Sequence, residues 1–201
     1  MNVVLASASP RRLDLLRSIG IEPRVEIPDV DESVKQGEQA IDYVRRVSAA
    51  KLEVVRRRLG SAAVGTVVVA ADTTVEIDGE ILAKPVDAAD ARRMLTRLSG
   101  TEHRVHTGLA VAAAVPGCRS TEWEGHIEVV TARVWFRALG PDEIEAYVAS
   151  GEPLDKAGAY AIQGGARGFV DRVEGDLSGV VGLPIDRLVE ITAGLGTPIA
   201  R

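Results

Sequence analysis

Apolar residues fall into short runs set apart by polar turns, and the spacing within the runs switches between two periods. The run NVVLA at 2–6 is continuous and of strand length. Ser9 and Pro10 then suit an N-cap and a first helical position. Leu13, Leu16 and Ile19 recur at helical steps, and Gly20 closes that helix. A longer helix is predicted over 39–59, with an inward stripe of Ile41, Val44, Ser48, Lys51, Val55 and Leu59. Ser48 and Lys51 interrupt the apolar stripe. The plain explanation of an inward lysine is an aliphatic stem snorkelling past the edge of a core.

Residues 67–71 read as a buried strand with Asp72 at its end. Residues 73–77 alternate, Asp78-Gly79 signals a hairpin, and 80–83 return. A helix is predicted over 88–98, stopped by Ser99-Gly100. Residues 104–114 and 127–138 read as strands joined by a polar loop, and Pro141 opens another helix. The last stretch reads as loop, two short strands and a helix from Pro184. No repeat, low-complexity run or linker divides the chain. The expectation is one α/β unit over 1–201, a mixed sheet with flanking helices and two lobes around a cleft.

Composition narrows the partners. The 201-residue chain is 46% hydrophobic and 26% charged, with net charge −5. An acidic balance argues against a general nucleic-acid or membrane binder, which carries a broad basic surface. No apolar run approaches the roughly 20 residues of a spanning helix. Cys118 is the lone cysteine, so no intrachain disulfide is possible. With no basic-then-apolar leader, a cytoplasmic location is expected.

Against that acidic background the first helix is odd. Ser7, Ser9, Arg11 and Arg12 cluster at its start, where the macrodipole is already positive and disfavours cations. Free backbone N–H groups, two hydroxyls and two guanidinium forks together favour a phosphate guest. Asp72, ending an apolar strand, sits where open α/β sheets place their sites. A carboxylate there can hold a divalent metal or accept a proton from water. Lys84, before Pro85, is returned by the hairpin to the same end. Asp29, Asp31 and Glu32 form an acidic cluster. Gln163, in a glycine-punctuated stretch, has an amide able to read a nucleobase edge. The run VVGLPIDRL is explained adequately by packing. His103 and His106 are three apart on a strand-like stretch and so fall on opposite faces, which argues against shared metal ligation. No P-loop, G-x-G-x-x-G or serine elbow is present. Phosphate chemistry without a side-chain nucleophile implies attack by metal-activated water.

Five blocks, LASASPRRLDLL, AADTTVEIDGEILAKP, MLTRLSGTEHRVHTGLAV, GEPLDKAGAYAIQGGARGFV and GVVGLPIDRL, resemble in order the Maf family of nucleotide pyrophosphatases. The resemblance implies a fold like that of inosine triphosphatases, an elongated mixed sheet with a cleft. It implies hydrolysis of a nucleoside triphosphate to monophosphate and pyrophosphate with Mg²⁺ or Mn²⁺, and a homodimer. It makes Asp72 the catalytic aspartate, Ser7, Arg12, Lys51 and Lys84 the phosphate grip, and Glu32 with Asp72 the metal ligands. Arg11, Thr73 and Gln163 match the dTTP/UTP branch. The 7-methyl-GTP branch typically has tryptophan in place of Arg11 and SDQ around the aspartate. Ala83, where glycine is commoner, and Gly179, where a polar residue is often found, depart from the family pattern without removing a catalytic group. Two rivals stand beside this reading. Asp29-Val30-Asp31 resembles the D-x-D metal motif of nucleotide-sugar transferases. A nucleotide-sensing regulator of septum formation would bind without turnover.

Overall fold

The computed structural model describes residues 2–60, 63–116 and 121–199; Cys118 lies outside them. The elements run β1 (Asn2–Leu5), α1 (Pro10–Ser18), β2 (Arg24–Val25), α2 (Ala40–Leu59), β3 (Thr66–Ile77), β4 (Glu80–Leu82), α3 (Ala88–Leu98), β5 (Glu102–Pro116), β6 (Thr121–Phe136) and α4 (Pro141–Ala149). Three 3₁₀ turns follow, at Glu152–Asp155, Ala157–Ala159 and Gly165–Phe169, then β7 (Val170–Glu174), α5 (Leu177–Val181) and α6 (Ile185–Gly194). The seven strands form one mixed sheet in the order β2-β1-β3-β5-β6-β7, with β4 also on β3.

β3 is the spine of the sheet. Its twelve residues run unbroken through Asp72, so the carboxylate lies inside a strand and does not end one. The reason is long-range pairing. β5 backs β3 from Val67 to Glu76 in one continuous antiparallel ladder, which holds the polar residues 72–74 extended. The opposite edge of β3 is shared by two partners. Parallel β1 pairs residues 66–69 and antiparallel β4 pairs residues 75–77. Residues 70–74 lie in the gap between them, where both chains turn away from the edge.

Hydrophobic side chains gather at both ends of this spine. Leu5, Leu16, Val69, Leu109, Leu183 and Leu188 pack on one face of the β1-paired half. Leu52 and Val55 of α2 pack against Val68, Ala70 and Ala110 on the other. Val75, Leu82, Leu95, Val105, Phe136 and Tyr160 build a separate core around the β4-paired half. The edge gap in β3 falls between these cores.

Several local expectations are revised. Ile41 is exposed, and the buried face of α2 carries Tyr43 and Val47 in its place. β5 and β6 extend into both ends of the stretch expected to form a polar loop. They pair as far as Pro116 and Thr121, because the buried run of β5 supports polar 122–128 as its ladder partner. The C-terminal stretch has one strand and the short helix α5 where two strands were expected.

Candidate active site

Residues from eight separate segments line a cavity of about 820 Å³ at the edge gap. Ser7, Arg11, Arg12, Glu32, Lys51, Asp72, Thr73, Lys84 and Gln163 are all among them. Asp29 and Asp31 are exposed and lie outside it, so the acidic cluster contributes Glu32 alone. Five cations (Arg11, Arg12, Lys51, Lys84, Lys156) and four carboxylates (Glu32, Asp72, Glu152, Asp155) line the cavity, a local balance of +1 in a chain of net −5.

Asp72 and Lys51 meet on the α2 face of the sheet. Lys51 Nζ donates to Asp72 Oδ1 at 2.7 Å and lies 2.8 Å from Glu32 Oε1. Its side chain is 7% exposed, so it does not snorkel to solvent. Two buried charges repay desolvation only when closely paired, and this pair is. α2 comes this close because Gly108, opposite Asp72 in the ladder, has no side chain. A Cβ there would fall 2.2 Å from the Val44 carbonyl oxygen and 2.7 Å from Ser48 Oγ. The two polar residues on the stripe thus have distinct causes: Ser48 is small where strand and helix touch, and Lys51 reaches the carboxylate.

Asp72 Oδ2 is buried and has no hydrogen-bond partner among the described residues. A buried carboxylate oxygen without a donor is costly and marks where a guest belongs. Together with Glu32 it fits a hard divalent cation, which takes one or two carboxylates and fills its other positions with phosphate and water. Among the described residues no three His, Cys, Asp or Glu side chains are grouped to hold a metal by themselves.

Arg12 is held on the opposite face of the sheet. Its Nε donates to the Gly182 carbonyl at 2.8 Å, Nη1 to Ser7 Oγ at 3.2 Å and Nη2 to Thr73 Oγ1 at 3.3 Å. Thr73 Oγ1 lies 2.8 Å from Thr107 Oγ1, and Thr107 donates to the Gly179 carbonyl at 2.8 Å. Burial pulls the guanidinium below its ordinary pKa, while Asp72 and Glu32 push it back up. The stretch GVVGLPIDRL therefore does more than pack, since Gly182 orients Arg12 and Gly179 orients Thr107. Ser9 occupies the N-cap position of α1, yet its hydroxyl makes no cap bond and no acidic residue stands in the first turn. Its N–H donates to Ser7 Oγ at 3.1 Å.

The third wall is the turn that carries Gln163. Glu152 anchors it, accepting from Tyr147 Oη at 3.0 Å and from Gly165 N at 3.1 Å. Tyr147 Oη accepts in turn from Ala161 N at 3.1 Å. A Cβ on Gly164 would sit 2.0 Å from Glu152 Oε1, so any larger residue there would push the carboxylate out of its place across the turn. Ala159 holds φ 59°, a left-handed conformation that costs an alanine of order 1 kcal/mol. Gln163 is exposed on the far side of this clamped turn.

The pocket thus collects cations around a carboxylate that has one unpartnered oxygen. The sequence profile described as "Maf-like protein" matches residues 2–195. This chain belongs to the Maf family. Curated relatives named "dTTP/UTP pyrophosphatase" are similar over nearly the whole length. The one from Geotalea uraniireducens (strain Rf4) is 48% identical over 196 residues, covering 97% of this chain and 95% of the relative. That of Anaeromyxobacter sp. (strain Fw109-5) is 48% identical, covering 98% and 91%. That of Hahella chejuensis (strain KCTC 2396) is 47% identical, covering 98% and 94%. A solved structure, the Ham1 protein of Staphylococcus aureus, overlaps 68% of this chain and 72% of its own, with 18% identity and a TM-score of 0.41. At that score the likeness decides nothing about this Maf chain.

Gly108, Thr107 and Gly182 were not singled out from sequence. A signal existed for Gly108, since a glycine inside an apolar strand marks close backbone approach. The others act through contacts between distant segments, and no local pattern announces them.

Proposed function

We propose that this Maf protein hydrolyses the α–β phosphoanhydride of dTTP and UTP, releasing the monophosphate and pyrophosphate. The observation that carries the reading is Asp72 Oδ2, buried and unpartnered in a cavity ringed by Ser7, Arg12, Lys51 and Lys84. The names of the full-length relatives supply the substrate. The chemistry of the walls supports it.

The triphosphate lies across the start of α1, where backbone N–H groups, Ser7 and Arg12 bind its oxygens. Water attacks the α-phosphorus, and Asp72 Oδ2 accepts its proton. Arg12, Lys51 and Lys84 offset the charge that builds on the departing pyrophosphate. Glu32 and Asp72 would hold Mg²⁺ or Mn²⁺, which neutralises phosphate charge and lowers the pKa of bound water. Arg12 needs no movement for this role, because three bonds already fix it.

Arg11, Thr73 and Gln163 are the base-side residues. An amide satisfies both the N3–H and a neighbouring carbonyl of uracil or thymine. Clamping by Glu152 holds Gln163 in place, and pre-organisation of this kind sharpens selection. We place the protein in the cytoplasm, where a lone cysteine fits a reducing compartment, and take it as a homodimer, as the family resemblance implies. Among the described residues no helix is long and apolar enough to cross a membrane.

The test is a panel of nucleoside triphosphates with Mg²⁺ or Mn²⁺, read by pyrophosphate release. The reading predicts that dTTP and UTP lead. A lead by 7-methyl-GTP or a purine would overturn the assignment of the base.

A further inference from the structure

Asp72 does not stand alone in having an unused oxygen. Thr74, two residues on and therefore on the same face of β3, is 1% exposed and also lines the cavity. Its Oγ1 has no hydrogen-bond partner among the described residues. The polar side chain across the ladder is His106, and it is committed elsewhere. Its Nδ1 lies 2.9 Å from Thr131 Oγ1 and its Nε2 3.0 Å from Glu76 Oε2. Contrast Thr73, on the other face, whose hydroxyl is engaged by Arg12 and Thr107. Of two adjacent threonines, one braces the arginine and the other, beside the cavity, keeps a buried hydroxyl with no partner among the described residues.

A buried hydroxyl without a partner costs about 1–3 kcal/mol. Valine has nearly the same shape and would avoid that cost. Residues two apart on a strand have Cα atoms about 6.6 Å apart. Two hydrogen bonds of about 2.8 Å through one shared oxygen reach about 5.6 Å, so side chains that lean together can hold one water between them.

We infer that Thr74 Oγ1 and Asp72 Oδ2 together hold the attacking water, the threonine orienting it and the aspartate taking its proton. This rests on the pyrophosphatase reading above. Threonine accepts one O–H of the water, Asp72 accepts the other, and the lone pair left on the water points at phosphorus. As the P–O bond forms, the proton moves to Asp72 and the α–β bridging oxygen leaves with the pyrophosphate.

The experiment compares Thr74→Val, Thr74→Ser and Thr74→Ala with the wild type for kcat, KM for dTTP, and melting temperature. Thr74→Val is expected to lower kcat on the order of 100-fold, leave KM within about threefold, and melt at or above the wild-type temperature. Thr74→Ser is expected to keep most of the activity. Should the valine variant fail to fold, the serine and alanine variants decide, since both lack the methyl and only serine has the hydroxyl. Equal kcat in those two, or a valine variant that keeps kcat and loses stability, would overturn the inference and leave Thr74 a structural role. A wild type that releases no pyrophosphate would instead sink the pyrophosphatase reading itself.

Discussion

Gly108 stands directly across the ladder from Asp72, and the space it leaves lets α2 carry Lys51 to within 2.7 Å of that carboxylate. A glycine on β5 thus sets the distance between the Asp72 carboxylate on β3 and the Lys51 cation on α2. Gly108→Ala places a Cβ 2.2 Å from the Val44 carbonyl oxygen, which is backbone and cannot swing aside. Overpacking of this kind costs about 3 kcal/mol. The variant should unfold at lower urea. Any folded fraction should show reduced kcat, because α2 and Lys51 have moved away from Asp72.

Glu152 gives a prediction of a different sort. It touches the Gln163 turn through Gly165 and Tyr147, with no bond to Asp72 or Arg12 among the described residues. Glu152→Ala should raise KM for dTTP and UTP about tenfold while kcat changes less. The preference over other nucleotides should narrow in the same panel. A fall in kcat alone, with KM and preference intact, would show that the clamp serves chemistry and not the base.

Gln163→Glu replaces an amide that both donates and accepts with a carboxylate that only accepts. A uracil or thymine carbonyl then faces a negative oxygen. Activity with dTTP and UTP should fall on the order of 100-fold in kcat/KM, with little change in melting temperature, because the side chain is exposed.

Stability should fall on the acid side of pH 6.5. His103 is buried against Phe136 and Tyr160, and burial lowers its pKa from 6.5 to about 4. In the unfolded chain it takes up a proton near pH 6.5, whereas in the folded chain it stays neutral until about 4. The folded state therefore keeps its full advantage above pH 6.5 and loses it as pH drops toward 4, by up to about 3 kcal/mol. His103→Gln should flatten the urea midpoint across this window. Part of the slope survives in that variant, because burial also lowers the pKa of His106, with Glu76 opposing.

What the sequence made legible follows a physical rule. Elements whose cause is local, such as α3 from 88 to 98 with its Asp87 cap, are read correctly. Lys51 is legible too, because helical periodicity alone turns it inward. Asp72 was found, but its setting was misread. A polar residue after five apolar ones looks like the end of a strand, and only the pairing of β1 and β4 along one edge shows that it sits in a gap. The extension of β6 was hidden for the same reason, since exposed Glu122 and Glu124 take their strand conformation from β5. The supports of the site (Thr107, Gly179, Gly182, Glu152) hold their partners across 13 to 170 residues of chain, a range at which spacing carries no signal.

The central claim is that Asp72 is the proton acceptor of an α-phosphorus hydrolysis. The direct measurement is pyrophosphate release from dTTP by Asp72→Asn beside the wild type, with dTTP binding followed on both. The account predicts steady release by the wild type, a loss on the order of 1,000-fold in the variant, and binding that stays within a few fold. Release from the variant at a rate close to wild type would contradict it.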